Sequence, residues 1–181
     1  MNAMSNQNCE LRTLVVLVEN KAGVLARIAG LFSRRGFNIE SLAVAPTDDD
    51  RFSRITIVVD VTTASSDQVV KQLDKLVNVV EIRELDPSTS IERELLMATL
   101  EAETAESRRE IIDLVQIFDA QVLNVGHDKL MVSLAGSQRR LDDFEALLGR
   151  YGIIEIQRTG KIALSELAKV NPPESTTQPE N

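Results

Sequence analysis

The feature that most constrains this chain is a repeat of order rather than of letters. From Leu11 to Leu85 the hydrophobic period runs strand, helix, strand, strand, helix, strand, and the same order restarts near Arg93. Such a βαββαβ unit buries itself by laying both helices on one face of an antiparallel sheet. Two in tandem predict an α+β chain built from two small sandwiches.

In the first unit, Leu11–Val18 is a β-branched and Leu-rich run, and Asn20-Lys21-Ala22-Gly23 breaks it as a turn. Val24, Leu25, Ile28, Leu31 and Phe32 then recur at helical spacing, and Gly36 supplies a stop. Phe37–Ala45 reads as a strand. Ile55, Ile57, Val59 and Val61 alternate with Arg54, Thr56, Val58 and Asp60 in another. Ser65 or Ser66 can cap a helix with the face Val69, Val70, Leu73, Leu76 and Val77, and Val80 and Ile82 mark a short last strand.

The second unit opens with a strand over Glu94–Glu101. Ser107 to Glu110 has the spacing of a capping box, and Ile111, Ile112, Val115 and Phe118 form that helix's face. Val122–Val125 and Leu130–Leu134 flank Gly126-His127-Asp128 as a hairpin. Leu141, Phe144, Leu147, Leu148 and Tyr151 mark a helix, Ile153–Gln157 a strand, and Lys161–Leu164 its extension.

The chain therefore divides into a flexible arm (1–10), a first domain (11–85), a linker (86–92), a second domain (93–168) and a disordered acidic tail (169–181). Units of this size sit near the limit at which a lone core is stable. Their aliphatic strands predict that the sheet face opposite the helices is buried against a second copy.

Charge and composition remove several functions. With 20 Lys plus Arg against 28 Asp plus Glu, the surface repels nucleic acid. No apolar run reaches the roughly 20 residues of a membrane span, and the N-terminus lacks the pattern of a secretory signal. One Cys and one His exclude an internal disulfide and the usual zinc sites. A cytoplasmic location is expected. Cys9 and His127 are the only possible Cys–His pair, and Cys9 lies in the arm. Asp48-Asp49-Asp50 lacks the spaced ligands of a calcium loop. Arg34-Arg35, Arg108-Arg109 and Arg139-Arg140 read as solvated helix faces. No constellation of catalytic groups stands out.

The informative segment joins the first strand to the first helix, Glu19-Asn20-Lys21-Ala22-Gly23-Val24-Leu25. A helix N-terminus exposes unpaired N–H groups and the positive end of a dipole, which seats a small carboxylate. Gly23 lets a ligand approach the backbone. Asn20 offers a donor and an acceptor. Asn38, from the same or a neighbouring copy, can add another amide, and Leu25 and Ile39 an apolar wall. On these residues alone, a plain capped turn and a ligand seat both remain open.

The Asn-x-x-Gly-Val-Leu loop within βαββαβ resembles an ACT domain, a small amino-acid-sensing module on a ferredoxin-like fold. Leu31-Phe32-Ser33-Arg34-Arg35-Gly36-Phe37-Asn38-Ile39-Glu40-Ser41-Leu42, Ser53-Arg54-Ile55-Thr56 and Gln72-Leu73-Asp74-Lys75-Leu76-Val77 are similar to the regulatory (small) subunit of acetolactate synthase. So are Glu92-Arg93-Glu94-Leu95, Leu134-Ala135-Gly136-Ser137, Asp142-Asp143-Phe144 and the run from Tyr151 to Gly160. Residues 97–103 depart from the family pattern.

The resemblance implies two tandem ferredoxin-like units, the first an ACT domain. It implies a non-catalytic chain that activates a large catalytic subunit and confers feedback inhibition by valine or another branched-chain amino acid. Thiamine diphosphate, magnesium and FAD would belong to that partner, with no cofactor on this chain. The effector residues it implies are Asn20, Ala22, Gly23, Val24, Leu25, Asn38 and Ile39, at an interface between ACT units of a homodimer. The competing expectation is a stand-alone ACT-type sensor acting on another partner.

Overall fold

The computed structural model describes residues 10–62 and 65–167 of the 181. The expected arm (apart from Glu10) and the acidic tail lie outside the described residues. The first unit runs β1 (Leu11–Glu19), α1 (Val24–Arg35), β2 (Asn38–Pro46), β3 (Phe52–Asp60), α2 (Ser66–Leu73) and β4 (Val79–Leu85). The second runs β5 (Ser90–Glu101), α3 (Ala105–Ile117), β6 (Gln121–Val125), β7 (Lys129–Gly136), α4 (Gln138–Leu148) and β8 (Ile153–Arg158), and β9 (Ile162–Ser165) follows. The sheets are antiparallel, in the orders β2-β3-β1-β4 and β6-β7-β5-β8, with β9 on the N-terminal end of β5. This is the expected pair of α+β units.

The first core joins Leu14, Val16 and Val18 of β1 and Ile55, Ile57 and Val59 of β3 to Val24, Ile28, Leu31 and Phe32 of α1. Those helix positions recur at intervals of three and four residues, so they form one buried stripe. Phe32 also meets Phe37 edge to face, with ring centroids 5.8 Å apart. The second core repeats the scheme with Leu96, Leu100, Val132 and Leu134 under Ile111, Val115, Leu141 and Phe144.

Four expectations need correction. The strand expected over Glu94–Glu101 begins earlier: after a 3-10 turn at Pro87–Thr89, β5 already starts at Ser90, inside the expected linker. Its first four residues pair with β9, from Ser90 opposite Ser165 to Arg93 opposite Ile162. The capping box also sits three residues earlier than expected. Thr104 caps α3 by accepting from the Ser107 N–H at 3.0 Å, and the Ser107 hydroxyl accepts from the Thr104 N–H. Helix α2 stops at Leu73, and Val77 falls in a turn, 95% exposed. The Asp74 N–H still reaches Val70 O, but those of Leu76 and Val79 close tighter turns that carry Val77 outward. Finally, two arginines read as solvated bind backbone carbonyls. Arg108 donates to Gly126 O and His127 O, and Arg140 to Phe118 O.

The outer face of the first sheet is also covered differently than expected. Thr13, Thr56 and Val58 point away from α1 and α2, yet all are buried. The chain itself supplies the cover. The ribbon formed by β9 and the start of β5 lies over this face, and Ala163 is buried there beside Leu85 and Arg54. In the second unit the matching face remains more open, with Leu95 and Met97 among its exposed apolar residues.

Candidate functional site

The Asn20–Gly23 loop leaves β1 at Glu19 and enters α1 at Val24. Its shape follows from a few bonds. The Lys21 N–H donates to Glu19 O at 2.9 Å and the Val24 N–H to Lys21 O at 3.3 Å. Gly23, the N-cap residue, takes φ 84°, the left-handed region that costs an L side chain about 1–2 kcal/mol. The Arg27 N–H closes the first helical bond on Gly23 O at 3.0 Å. This leaves the N–H groups of Leu25 and Ala26 at the open end of the helix, where they carry partial positive charge. No acidic side chain occupies the first turn, so the end is electrostatically ready for an anion.

Asn20 is tied down at one end. Its Nδ2 donates to Asp50 O at 2.9 Å, and its N–H donates to Arg51 O at 2.7 Å. One donor therefore braces the β2–β3 loop, and the side-chain Oδ1 is left as an acceptor. That loop is stiffened by Arg51, whose Nε and Nη2 grip both oxygens of Asp49. The guanidinium holds the Asp49 carboxyl down to about 2.

Behind the turn, Asn78 Nδ2 donates to Glu19 Oε2 at 2.5 Å, and Arg27 Nη1 donates to Asn78 Oδ1 at 2.7 Å. Lys21 Nζ adds a contact to Glu19 Oε1 at 3.0 Å. These bonds, that from Asn78 first, hold the Glu19 carboxyl below its ordinary range. Asn78, Arg27, Asp49 and Arg51 brace the site, and sequence reasoning missed all four. Of the four, only Asp49 stood in a segment the sequence marked, the Asp48-Asp49-Asp50 run.

The expected site residues divide into three groups. Asn20, Ala22, Gly23 and Leu25 are exposed together at the loop, with Leu25 42% exposed. Val24 contributes its side chain to the core, and its N–H is already given to Lys21. Asn38 and Ile39 sit elsewhere. Glu19 pairs with Phe52 at one end of β3, and Asn38 pairs with Asp60 at the other. Eight residue steps along β3 separate these rows, roughly 27 Å at the rise of an antiparallel strand. Within one copy, Asn38 does not meet the loop.

Strand β2, which carries Asn38 and Ile39, is an edge of its sheet. Beside it opens a cavity of about 1140 Å³, lined by Val44, Pro46, Ile91, Ile162 and Leu164 among others. None of Asn20–Leu25 lines this cavity, so this recess and the loop are separate features. Among the described residues, no group of three or more His, Cys, Asp or Glu is placed to hold a metal ion, and no helix is long and apolar enough to cross a membrane.

Comparison with known proteins fits both halves. Residues 14–81 match the family described as "AHAS small subunit-like ACT domain", and residues 93–167 match "Small subunit of acetolactate synthase". The chain is 47% identical over 152 residues to the "Probable acetolactate synthase small subunit" of Archaeoglobus fulgidus, covering 84% of this chain and 94% of that one. It is 46% identical over 153 residues to the acetolactate synthase small subunit of Mycobacterium bovis, covering 84% and 90%. The crystal structure of the acetolactate synthase small subunit from Thermotoga maritima superimposes with a TM-score of 0.82 at 32% identity, covering 88% of this chain and 99% of that one. Two tandem ACT-like units, an ordered match across both and relatives of the same extent lead to one conclusion: the chain belongs to the acetolactate synthase small-subunit family, the non-catalytic regulatory partners of the large subunit in branched-chain amino acid biosynthesis.

Proposed function

We propose that this small subunit senses a branched-chain amino acid, valine first, at a site shared by two copies, and relays feedback inhibition to the large subunit. One observation carries the reading. The residues expected at the site lie at opposite ends of the first sheet, and one group starts an exposed edge strand. An isologous contact between two β2 edges, running antiparallel about Leu42, sets Asn38 of one copy opposite Pro46 of the other. Pro46 leads into the loop that Asn20 holds through Asp50 O. Asn38 and Ile39 of one copy thus approach Asn20–Leu25 of the other, and each site draws on both chains.

In that site the Leu25 and Ala26 N–H groups receive the carboxylate at the positive helix end. The Asn20 Oδ1 and the Asn38 amide take the α-ammonium and remaining polar atoms. Leu25 and Ile39 select a short branched side chain. An apolar pocket separates ligands that differ by one methylene by only about 1–3 kcal/mol, so isoleucine and leucine compete with valine. The thiamine diphosphate, magnesium and FAD of the reaction belong to the large subunit, and this chain supplies activation and control. The same edge contact covers exposed Val44 and Pro46.

The test is a valine titration of the assembled enzyme carrying Asn20→Ala or Asn38→Ala. Each change is expected to raise the valine concentration for half-inhibition by about tenfold, as the loss of one charge-assisted hydrogen bond implies. Unchanged inhibition in both removes the assigned site.

A further inference from the structure

Two residues beyond Ile39, β2 touches the second unit. The β2–β3 register slips at Glu40, between Ile39 and Ser41, which makes a bulge. Immediately after it, Ser41 Oγ accepts from the Lys161 N–H at 3.4 Å. Gly160 adopts φ +79°, and a Cβ there would lie 3.4 Å from Leu42 O. Backbone therefore meets backbone at this corner.

Lys161 continues the connection through its side chain. Its Nζ pairs with Glu92 Oε2 at 2.8 Å, with the two side chains 14% and 26% exposed. Glu92 Oε1 in turn accepts from Thr13 Oγ1 of β1 at 3.2 Å. A polar chain thus runs Ser41, Lys161, Glu92, Thr13, and ties β1 and β2 to the β5–β9 ribbon. On its other side the corner is bolted to the second unit. Arg158, two residues before Gly160, reaches Asp142 at 2.7 Å and Glu145 at 2.6 Å on α4, and Glu94 at 3.9 Å on β5.

From this placement we infer that the Gly160–Lys161 corner is the joint through which the state of Asn38 and Ile39 reaches the second unit, with Lys161 and Glu92 as positioning residues of regulation. The inference rests on the sensing function proposed above. A bulge is where a strand bends, because one residue stands outside the ladder. Holding Asn38 and Ile39 against a ligand fixes one side of the bulge, and Ser41–Leu42 on the other side carries the corner. Shifting β2 there strains or relaxes the Lys161–Glu92 contact and re-aims the ribbon. Neither charged residue touches the ligand, so its loss separates sensing from response.

The experiment uses the full small subunit reconstituted with its large subunit. The variant Lys161→Met with Glu92→Leu removes the pair without leaving a lone charge, which keeps the fold. Valine binding to the isolated small subunit, activation of the large subunit without valine, and the valine concentration for half-inhibition are measured side by side. Binding and activation are expected to stay within about twofold of wild type, while the half-inhibitory concentration rises about tenfold, within the usual range of coupling between sites. Lys161→Arg, which preserves the charge, is expected to keep wild-type inhibition. Ser41→Ala, a milder cut in the same chain, should shift inhibition in the same direction by a smaller factor.

A double variant that is inhibited like wild type overturns the joint, as does one that loses valine binding along with inhibition. Wild type that neither binds nor is inhibited by valine, isoleucine or leucine overturns the sensing function and the joint together. Wild-type sensing beside an unaltered double variant overturns the joint alone.

Discussion

Replacing Gly23 with alanine separates backbone conformation from contact at the effector loop. Gly23 sits at φ 84°, and a Cβ added there meets nothing within 4 Å. Steric clash with neighbours is therefore absent, and the whole effect comes from the dihedral. The left-handed region costs alanine about 1–2 kcal/mol. Restricting the unfolded chain returns about 0.4–1 kcal/mol. If the loop keeps its shape, the net loss is near 1 kcal/mol, a fall of roughly 4–8 °C for a unit of this size. If the loop instead relaxes out of the left-handed region, stability is spared and the Leu25 and Ala26 N–H groups turn away from the ligand. The cost of 1–2 kcal/mol then appears in valine affinity, about a 5–30-fold weakening. Calorimetric unfolding and valine titration on the same sample read both. Gly23→Asn, which tolerates this region better, should lose less of each. An alanine variant as stable as wild type and as tight for valine refutes the reasoning, because the dihedral would then carry no cost.

Three other outcomes follow from the same geometry. Asp49 ordinarily titrates near 3.8 and is held at about 2 by Arg51. Its folded value is depressed, so its contribution is present above pH 3.8 and fades as pH falls toward 2; carbon-detected NMR should find Asp49 moving back toward 3.8 in Arg51→Ala. Asn78→Ala removes the bond that does most to lower Glu19, so the Glu19 carboxyl should titrate higher by the same measurement, and valine affinity should drop as the turn loosens. Phe144 is fully buried in the second core, and Phe144→Ala should cost about 3–5 kcal/mol in chemical denaturation.

What the sequence revealed was governed by short range. Helix α1 is bounded by Gly23 and Gly36, and its Ile28, Leu31 and Phe32 stripe is periodic, so its place and buried face could be read directly. The strands β1 and β3 announced themselves by branched residues, although strict alternation on β3 failed. Val58 and Thr56 are buried on the face opposite the core because the β5–β9 ribbon covers them, and that pairing joins Ser90 to Ser165. No local period encodes a contact across such a separation. Pro87 and the serines around it carry turn chemistry, which hid the start of β5. The cap of α3 was misplaced because Ser107 suits an N-cap as well as the third helical position that it fills.

The candidate site was half legible. The loop glycine and Asn20 could be named from spacing, but their bracing by Asn78 and by the Asp49–Arg51 pair depends on residues brought in by the sheet. Val24 belongs to the expected loop by spacing, and its place in the apolar stripe puts its side chain in the core. Spacing also gave no sign that Asn38 starts its strand at the far end from Asn20. That placement appears only when the register of β1, β2 and β3 is known.

Mixing two weakened sensors measures the shared site directly. Small subunits carrying Asn20→Ala and Asn38→Ala, reconstituted alone, are each expected to need about tenfold more valine for half-inhibition. Co-expressed in equal amounts, half of their dimers are mixed, and each mixed dimer regenerates one intact site from the two unaltered asparagines. About a quarter of all sites should return under isologous pairing, and valine inhibition of the reconstituted enzyme should recover in part. A mixture as weakly inhibited as either parent would contradict a site built from two chains.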